Sequence, residues 1–176
     1  MEEGCQQEAA AAAAADSIYL FSGKHDPLSN FYPAQFQLDG ITYSNVEQYF
    51  QAEKAKYFKD YFIRQAIIGT TDPSRAKTLG ARVTPFRNEE WIQVREDVMK
   101  KGVKAKFVQN KGLKKRLCDT KDKTLAEATR DRTWGVGISI SHRPTTWNGQ
   151  NLLGKILMEV RGEILQSDKR VCEFTT

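Results

Sequence analysis

The chain has 176 residues, of which 40% are hydrophobic and 28% charged, and its formal net charge is +5. That length suits one domain with a hydrophobic core and is short for two. No apolar run is long enough to cross a bilayer, and three scattered cysteines argue against a disulfide framework. Two histidines without partners at ligand spacing argue against a zinc site, so we expect an intracellular protein, cytoplasmic or nuclear, that uses neither metal nor cofactor.

The first sixteen residues carry three glutamates and a run of seven alanines, with no basic start. This composition differs from a secretory signal and offers little surface to bury. We therefore expect a disordered extension over residues 1–16, one folded domain over residues 17–166 and a flexible tail over residues 167–176.

Two strand patterns open the folded domain, at residues 18–21 and residues 35–43, the second turning at Asp39-Gly40 as a hairpin does. Helical patterns follow at residues 45–58, 59–68, 73–79, 89–109 and 113–118. Residues 124–129 are either a short strand or an extended segment, and apolar spacing from Leu153 to Ile164 predicts a last helix. The pattern indicates a compact, mostly helical α+β domain with a small N-terminal hairpin or sheet.

One face of the first predicted helix carries Glu47, Gln51 and Lys54, because side chains three, four and seven residues apart stack along a helix. A carboxylate, an amide and an amine beside an apolar edge are able to form the floor of a pocket. The alternative is structural, since Ser44 followed three residues later by Glu47 is the pattern of a capping box.

A second polar region runs from Glu127 through Asp131 and Trp134 to the start of the last helix. Glycines at 135 and 137 allow close approach of a ligand to the backbone, and a helix start with free N–H groups near Asn151 suits phosphate. Asn151 could equally be only a cap. Asn30 and Phe31, just before the hairpin, would suit hydrogen bonding to and stacking on a base, or would pack a loop.

Residues 98–118 contain eight lysines and arginines and no acid, so the remainder of the chain has a net charge of −3. A basic segment on an acidic body suits a phosphate-rich partner such as nucleic acid. A solvated helix face explains the same pattern equally well.

Five blocks in this order resemble the NADAR superfamily: residues 28–33 (LSNFYP), 46–54 (VEQYFQAEK), 106–107 (KF), 134–137 (WGVG) and 151–161 (NLLGKILMEVR). The resemblance implies a compact α+β N-glycosidase that acts on ribosylated nitrogen compounds. It implies either removal of ADP-ribose from modified guanine in nucleic acid or cleavage of early riboflavin-pathway intermediates.

Carried onto this sequence, the resemblance assigns Glu47, Gln51 and Lys54 to the helix motif and Asp131 and Trp134 to an acidic-aromatic motif. It assigns the ligand-facing segments to Asn30, Gly135, Gly137, Asn151 and Gly154. We expect Lys54 to attack the anomeric carbon through a Schiff base, with Glu47, Asp131 or Glu127 handling the proton. Trp134 and Phe31 would bracket base or sugar.

The expected function is hydrolysis of ADP-ribosylated guanine in nucleic acid, because the basic segment is more useful against a polymer than against a small metabolite. The partners would be ADP-ribosylated nucleic acid and its product ADP-ribose, with no membrane. A riboflavin-intermediate N-glycosidase and a non-catalytic ADP-ribose reader remain alternatives. The oligomeric state is not fixed by the sequence, and a monomer is the default expectation.

Overall fold

The computed structural model describes residues 17–138 and 147–173. The predicted N-terminal extension lies outside these ranges. The four strands in them are β1 (Ile18–Phe21), β2 (Phe36–Leu38), β3 (Ile41–Tyr43) and β4 (Thr124–Glu127). The six helices are α1 (Val46–Tyr57), α2 (Tyr61–Ile68), α3 (Pro73–Gly80), α4 (Asn88–Gln109), α5 (Lys111–Asp119) and α6 (Leu152–Glu173). The α+β, mostly helical class predicted from the sequence is confirmed.

The strands form two separate pairs. β2 and β3 are the predicted antiparallel hairpin, with Phe36 opposite Tyr43, and its turn places Asp39 and Gly40 at φ of 50° and 78°. Both central residues of such a tight turn need positive φ, which glycine adopts readily and aspartate tolerates. β1 does not join this hairpin. It pairs in parallel with β4, a strand that comes much later in the sequence. Of the two alternatives for residues 124–129, the strand is therefore confirmed, over Thr124–Glu127.

Helix α1 lies at the centre of the fold and packs against α2, α3 and α4. Its apolar residues Val46, Phe50 and Ala52 are buried in the main hydrophobic core. Burying a side chain the size of valine or phenylalanine stabilises the fold by about 1.5–3 kcal/mol. Three polar residues of the same helix, Glu47, Gln48 and Gln51, are buried too.

The long helix α6 packs against α4 and against β4. It continues to Glu173, past the boundary predicted at residue 166, and Lys114 on α5 pairs with Asp168 at 2.7 Å on this last part. Helix α4 begins one residue before the prediction, so Asn88 lies inside the helix and Arg87 occupies the cap position without a side-chain cap. No helix in the described ranges is long and apolar enough to span a membrane.

The basic segment of residues 98–118 is mostly paired within the protein. Lys100 contacts both Glu159 and Glu163 on α6, at 2.6 and 2.8 Å. Four further lysines of the segment make ion pairs with acids: Lys101, Lys104, Lys114 and Lys115. Lys106 is buried and donates to the carbonyl of Ser29 at 2.8 Å. Much of this charge therefore holds α4 and α5 to their neighbours and is not a free surface for polyanions.

Candidate active site

A cavity of about 540 Å³ lies where α1, α3, α4, β4 and the loop before the hairpin meet. Its described lining includes eight residues predicted from the sequence: Asn30, Phe31, Glu47, Gln51, Lys54, Glu127, Asp131 and Trp134. The other described lining residues are Ser22, Gly23, Ser29, Phe50, Lys77, Trp91, Arg95, Met99, Thr129 and Arg130. The fold thus brings together three segments that are far apart in the sequence.

The start of α1 decides the role of Glu47 in capping. Asn45 is the cap: its side chain accepts from the backbone N–H of Gln48 at 2.8 Å. Gln48 in turn accepts from the N–H of Ser44 at 2.7 Å and donates to the carbonyl of Thr70 at 2.7 Å. The alternative of a capping box between Ser44 and Glu47 is therefore wrong, because the cap is Asn45, one residue later. Glu47 is left free to face the cavity.

Glu47 is buried and accepts a hydrogen bond from Gln51 Nε2 at 2.8 Å. Burial raises the pKa of Glu47, and the Gln51 hydrogen bond and the charges of Lys77 and Lys54 oppose this only in part. Gln51 Oε1 is buried without a hydrogen-bond partner among the described residues. An unpaired buried acceptor is costly, so this atom suits a hydroxyl or amine of a ligand.

Lys54 lies one turn further along the same face, with Nζ 5.5 Å from the ring centroid of Phe86. Its burial lowers the pKa of the amine, and the charge of Glu47 opposes that shift. A lowered pKa increases the fraction of neutral amine, which is the nucleophilic form. The arrangement of Glu47, Gln51 and Lys54 on one helix face, predicted from their spacing, holds in the structure.

Two further carboxyl groups reach the cavity from the end of β4. Burial raises the pKa of Glu127 from its ordinary value of 4.5 to about 7, and the charges of Asp131 and Glu47 add to the shift. Asp131 Oδ1 accepts from the backbone N–H groups of Thr133 and Trp134 at 2.8 and 2.9 Å, which holds it in a fixed turn. A carboxyl group with a pKa near 7, such as Glu127, is suited to donate a proton at neutral pH.

Aromatic rings form the other wall. Trp134 packs edge-on against Phe50 at 5.2 Å between centroids, and the Arg95 guanidinium lies 5.7 Å from the Trp134 ring. Lys77 Nζ lies 5.9 Å from the Phe31 ring.

The side chain of Asn30 donates to Met99 Sδ at 3.2 Å, and the backbone carbonyl of Asn30 accepts from the N–H of Glu47. Asn30 therefore both lines the cavity and ties its loop to α1.

Comparison with known proteins identifies the family of this chain. The family described as NADAR domain matches residues 20–165. The chain belongs to the NADAR domain family.

The chain is 37% identical over 145 residues to N-glycosidase R617 of Acanthamoeba polyphaga mimivirus, covering 77% of this chain and 85% of that protein. It is 33% identical over 150 residues to Riboflavin biosynthesis protein VVA0006 of Vibrio vulnificus, covering 84% of this chain and 38% of that protein. The NMR structure of the Escherichia coli protein YbiA aligns with a TM-score of 0.73 at 34% identity, covering 87% of this chain and 88% of that one.

Four residues predicted to face the ligand are not among the described lining of this NADAR cavity: Gly135, Gly137, Asn151 and Gly154. Asn151 instead accepts from the N–H of Glu127 at 3.1 Å and donates to the carbonyl of Leu125 at 2.8 Å. A Cβ on Gly154 would collide with that same carbonyl, and one on Gly135 would collide with Thr129 Oγ1. Asn151, Gly135 and Gly154 thus lie between β4 and the start of α6, and β4 carries Glu127.

The start of α6 is also not open to phosphate. The N–H groups of Leu152 and Leu153 donate to the carbonyls of Thr133 and Trp134, both at 3.1 Å, and the N–H of Asn151 donates to Gly135 at 3.0 Å. A helix start binds an anion through free N–H groups, and these three are already used. The phosphate role predicted for this segment is therefore not supported by the geometry.

Three cations on the cavity wall are not among the residues predicted from the sequence: Lys77 on α3, Arg95 on α4 and Arg130 after β4. Arg95 Nε is buried without a hydrogen-bond partner among the described residues. The one available signal was the spacing of Arg95, four residues after Trp91 and so on the same face of α4. No local pattern distinguishes Lys77 or Arg130 from a solvated cation.

Proposed function

We propose that this protein is an N-glycosidase that hydrolyses the bond between ribose and the guanine nitrogen in ADP-ribosylated nucleic acid, releasing ADP-ribose. The observation that supports this best is the meeting of Lys54 with the carboxyl groups of Glu47, Glu127 and Asp131 in one cavity. The amine of Lys54 has a lowered pKa, and the carboxyl groups of Glu47 and Glu127 have raised pKa values. A nucleophile and a proton donor are the groups that cleavage of a glycosidic bond through a covalent intermediate requires.

In the proposed reaction, Lys54 Nζ attacks the anomeric carbon of the ribose and the bond from that carbon to the base nitrogen breaks. The bonding electrons go to the departing nitrogen, which takes the proton of Glu127. The pKa of Glu127, about 7, leaves this group substantially protonated at neutral pH. The carboxylate of Asp131 or Glu47 stabilises the positive character that develops on the sugar.

The bond between the anomeric carbon and the ring oxygen then breaks, the ring oxygen takes a proton from the protonated amine of the adduct, and a protonated Schiff base forms between Lys54 and the anomeric carbon. Glu127, now ionised, is able to accept a proton from the attacking water. The oxygen of that water bonds to the anomeric carbon, and a proton then passes from the new hydroxyl to Lys54 Nζ as the bond between Nζ and the carbon breaks, which releases ADP-ribose and the free amine. The proton balance closes, since Glu127 gives one proton to the base and regains one from water.

The positive charges on the cavity wall support a substrate with more than one phosphate. Lys77, Arg95 and Arg130 lie around the same cavity as Lys54. A diphosphate would satisfy several of them, and a volume of about 540 Å³ lies within the range of nucleotide-sized ligand sites. The basic segment no longer supports the choice of a polymer, because five of its lysines are paired with acids.

The second candidate is hydrolysis of a ribosylaminopyrimidine phosphate of riboflavin synthesis. It is favoured by the likeness to a protein named Riboflavin biosynthesis protein VVA0006. This smaller substrate would need one phosphate contact, so most of the wall cations would be dispensable for its turnover.

The test is incubation of the purified protein with a guanine-ADP-ribosylated DNA oligonucleotide, following release of ADP-ribose by chromatography and mass spectrometry. We expect release by wild type, none by Lys54→Ala, and wild-type release by the matched control Lys56→Ala, an exposed lysine of the same helix. Borohydride added during turnover is expected to trap an adduct that the Lys54 variant lacks.

The other outcomes separate the alternatives. No release from the oligonucleotide, with cleavage of a ribosylaminopyrimidine phosphate, would select the riboflavin intermediate. Binding of ADP-ribose without turnover of either substrate would select a reader. Turnover without a trapped adduct would reject the Schiff base and retain the glycosidase.

A further inference from the structure

Gly80, the last residue of α3, lies against the side chain of Gln51 on α1, and both residues are buried. A Cβ on Gly80 would overlap Gln51 Oε1 and would lie 2.5 Å from Gln51 Cδ and 2.9 Å from Gln51 Cγ. Nonbonded carbon atoms rest about 3.5–4.0 Å apart, so these approaches are collisions. Any side chain at position 80 would need the space that Gln51 occupies.

The backbone at position 80 does not itself require glycine. Positive φ, which glycine adopts readily, occurs at three described glycines, Gly23, Gly40 and Gly137, and Gly80 is not one of them. Gly80 lies within the helical residues of α3, where alanine is ordinarily favoured over glycine. The close approach of Gln51 is therefore the reason that a glycine suits this position.

Gln51 uses this space to reach Glu47. Its Nε2 donates to Glu47 Oε1 at 2.8 Å, and the side chains of both residues line the cavity. Within the described ranges, no other side chain donates a hydrogen bond to this carboxyl group. The direction in which Glu47 presents its carboxyl group therefore depends on Gln51.

The Gln51 side chain is the part of this contact that moves most easily. It rotates about three bonds, whereas Gly80 belongs to the backbone of a helix that packs along α1. Gln51 Oε1 has no hydrogen-bond partner among the described residues, so the bond to Glu47 is the one that orients the amide. A methyl group at position 80 is expected to turn the amide away from Glu47.

We propose that Gly80 is a positioning residue of the active site: the absence of a side chain there lets Gln51 lie between α1 and α3 and hold the carboxyl group of Glu47. Its effect on turnover rests on the proposed function, in which the carboxylate of Asp131 or Glu47 stabilises positive charge on the sugar. The contact itself is independent of any reaction. If Gly80 served packing alone, a larger residue would move α3, and Lys77 on the same helix would move with it.

A titration of Glu47 distinguishes the two responses. The hydrogen bond from Gln51 opposes the rise in pKa that burial causes, so turning the amide away leaves the pKa of Glu47 higher still. The charges of Lys77 and Lys54 also oppose this rise in pKa, and that of Asp131 adds to it. A displaced Lys77 would thus raise the pKa too, so the titration is made both with the natural Lys77 and in a Lys77→Met background, where this charge is absent.

The experiment follows the carboxyl carbon of Glu47 by NMR in protein labelled with carbon-13 at glutamate, with Glu47→Gln to assign the signal. Gly80→Ala and Gln51→Ala are each expected to raise the pKa of Glu47 in both backgrounds. The double variant is expected to match Gln51→Ala, because the atoms with which the new methyl group collides are gone. Gly162→Ala is the matched control and is expected to leave the titration unchanged, since an added Cβ at this helical glycine of α6 meets no atom of another segment within 4 Å.

Turnover supplies a second readout. A turned Gln51 leaves the cavity cations in place, so Gly80→Ala is expected to lower kcat about tenfold and to leave KM unchanged, as suits the loss of one hydrogen bond to a charged group. Movement of α3 would instead displace Lys77 from the cavity wall and raise KM with kcat unchanged, and that result contradicts the proposal.

An unchanged titration of Glu47 in Gly80→Ala overturns the proposal, and so does a change that disappears in the Lys77→Met background. If Gly80→Ala fails to fold, the double variant with Gln51→Ala decides. A folded double variant identifies Gln51 as the collision partner and supports the proposal, while a double variant that also fails to fold overturns it.

The result is separable from that of the proposed function. If wild type releases no ADP-ribose and cleaves no other substrate, the proposed function fails, and the titration still tests the positioning of Glu47 by Gly80. If wild type is active and Gly80→Ala keeps both the wild-type titration and the wild-type kcat, the proposed function stands and the positioning role is wrong.

Discussion

Replacing Glu127 with glutamine is expected to stabilise the folded protein at pH 8 while it strongly lowers turnover. Burial and the nearby charges of Asp131 and Glu47 raise the pKa of Glu127 from 4.5 to about 7 in the folded state. The unfolded chain regains the ordinary value, so between these two pH values the folded state binds more protons than the unfolded state. Stability contributed by this group therefore falls as pH rises from about 4.5 to about 7 and stays low above that.

The size of the effect follows from the two pKa values. Ionised Glu127 costs the folded state about 3 kcal/mol at pH 8 and under about 1 kcal/mol at pH 5. Glutamine has nearly the same shape and no charge, so it removes this cost. The variant is expected to gain about 2–3 kcal/mol more at pH 8 than at pH 5.

The assay is urea unfolding followed by tryptophan fluorescence at both pH values, for wild type, Glu127→Gln and the control Glu96→Gln. Glu96 is exposed on α4, and its variant is expected to stay within about 0.5 kcal/mol of wild type at both pH values. Turnover by Glu127→Gln is expected to fall at least about 100-fold. An equal gain at pH 5 and pH 8, or no gain at pH 8, would refute the idea of a buried, destabilised carboxylate.

Four further variants test the framework and the charges. Asn45→Ala is expected to lower the free energy of unfolding by about 1–2 kcal/mol, because its side chain caps α1 and also donates to the carbonyl of Thr71; urea unfolding measures this. Gly154→Ala is expected to lower the melting temperature, since a Cβ there would collide with a backbone carbonyl, and a raised KM at unchanged stability would instead make Gly154 a ligand contact. Lys104→Ala is expected to leave kcat/KM and its salt dependence unchanged, because this lysine is paired with an acid on α6, whereas Arg130→Ala is expected to raise KM. If Lys104→Ala raised KM as much as Arg130→Ala, the basic segment would contact the substrate after all.

Elements with local signals are predictable from this sequence. The hairpin follows from Asp39-Gly40 between alternating residues, and α3 follows from Asp72 as cap before a first-turn proline. A one-residue uncertainty had a larger consequence at α1. Ser44 and Asn45 are both good caps, and only the packing of Gln48 against the carbonyls that end α2 selects Asn45. Because Asn45 is the cap, Glu47 takes no part in capping and lines the cavity.

Interactions between distant segments are less predictable. The lysines of residues 98–118 form a uniform basic stretch in the sequence, and three of them, Lys100, Lys104 and Lys114, pair with acids on α6 that lie more than fifty residues away. The role of Asn151 also depends on a distant segment. An amide at a helix start suggests a cap or a ligand contact, but the neighbouring strand β4 supplies the carbonyl and the N–H that it binds.

The sequence by itself determined the α+β class, the hairpin, the run of helices and the shared face of Glu47, Gln51 and Lys54, because backbone turns and helical spacing are local properties. Only the tertiary structure decided that β1 pairs with β4, that Glu127 and Asp131 meet Glu47 in one cavity, and that Lys77 and Arg95 join them. Burial and charge proximity set the pKa values and the pairing of these groups, and both depend on which distant segments the fold packs together.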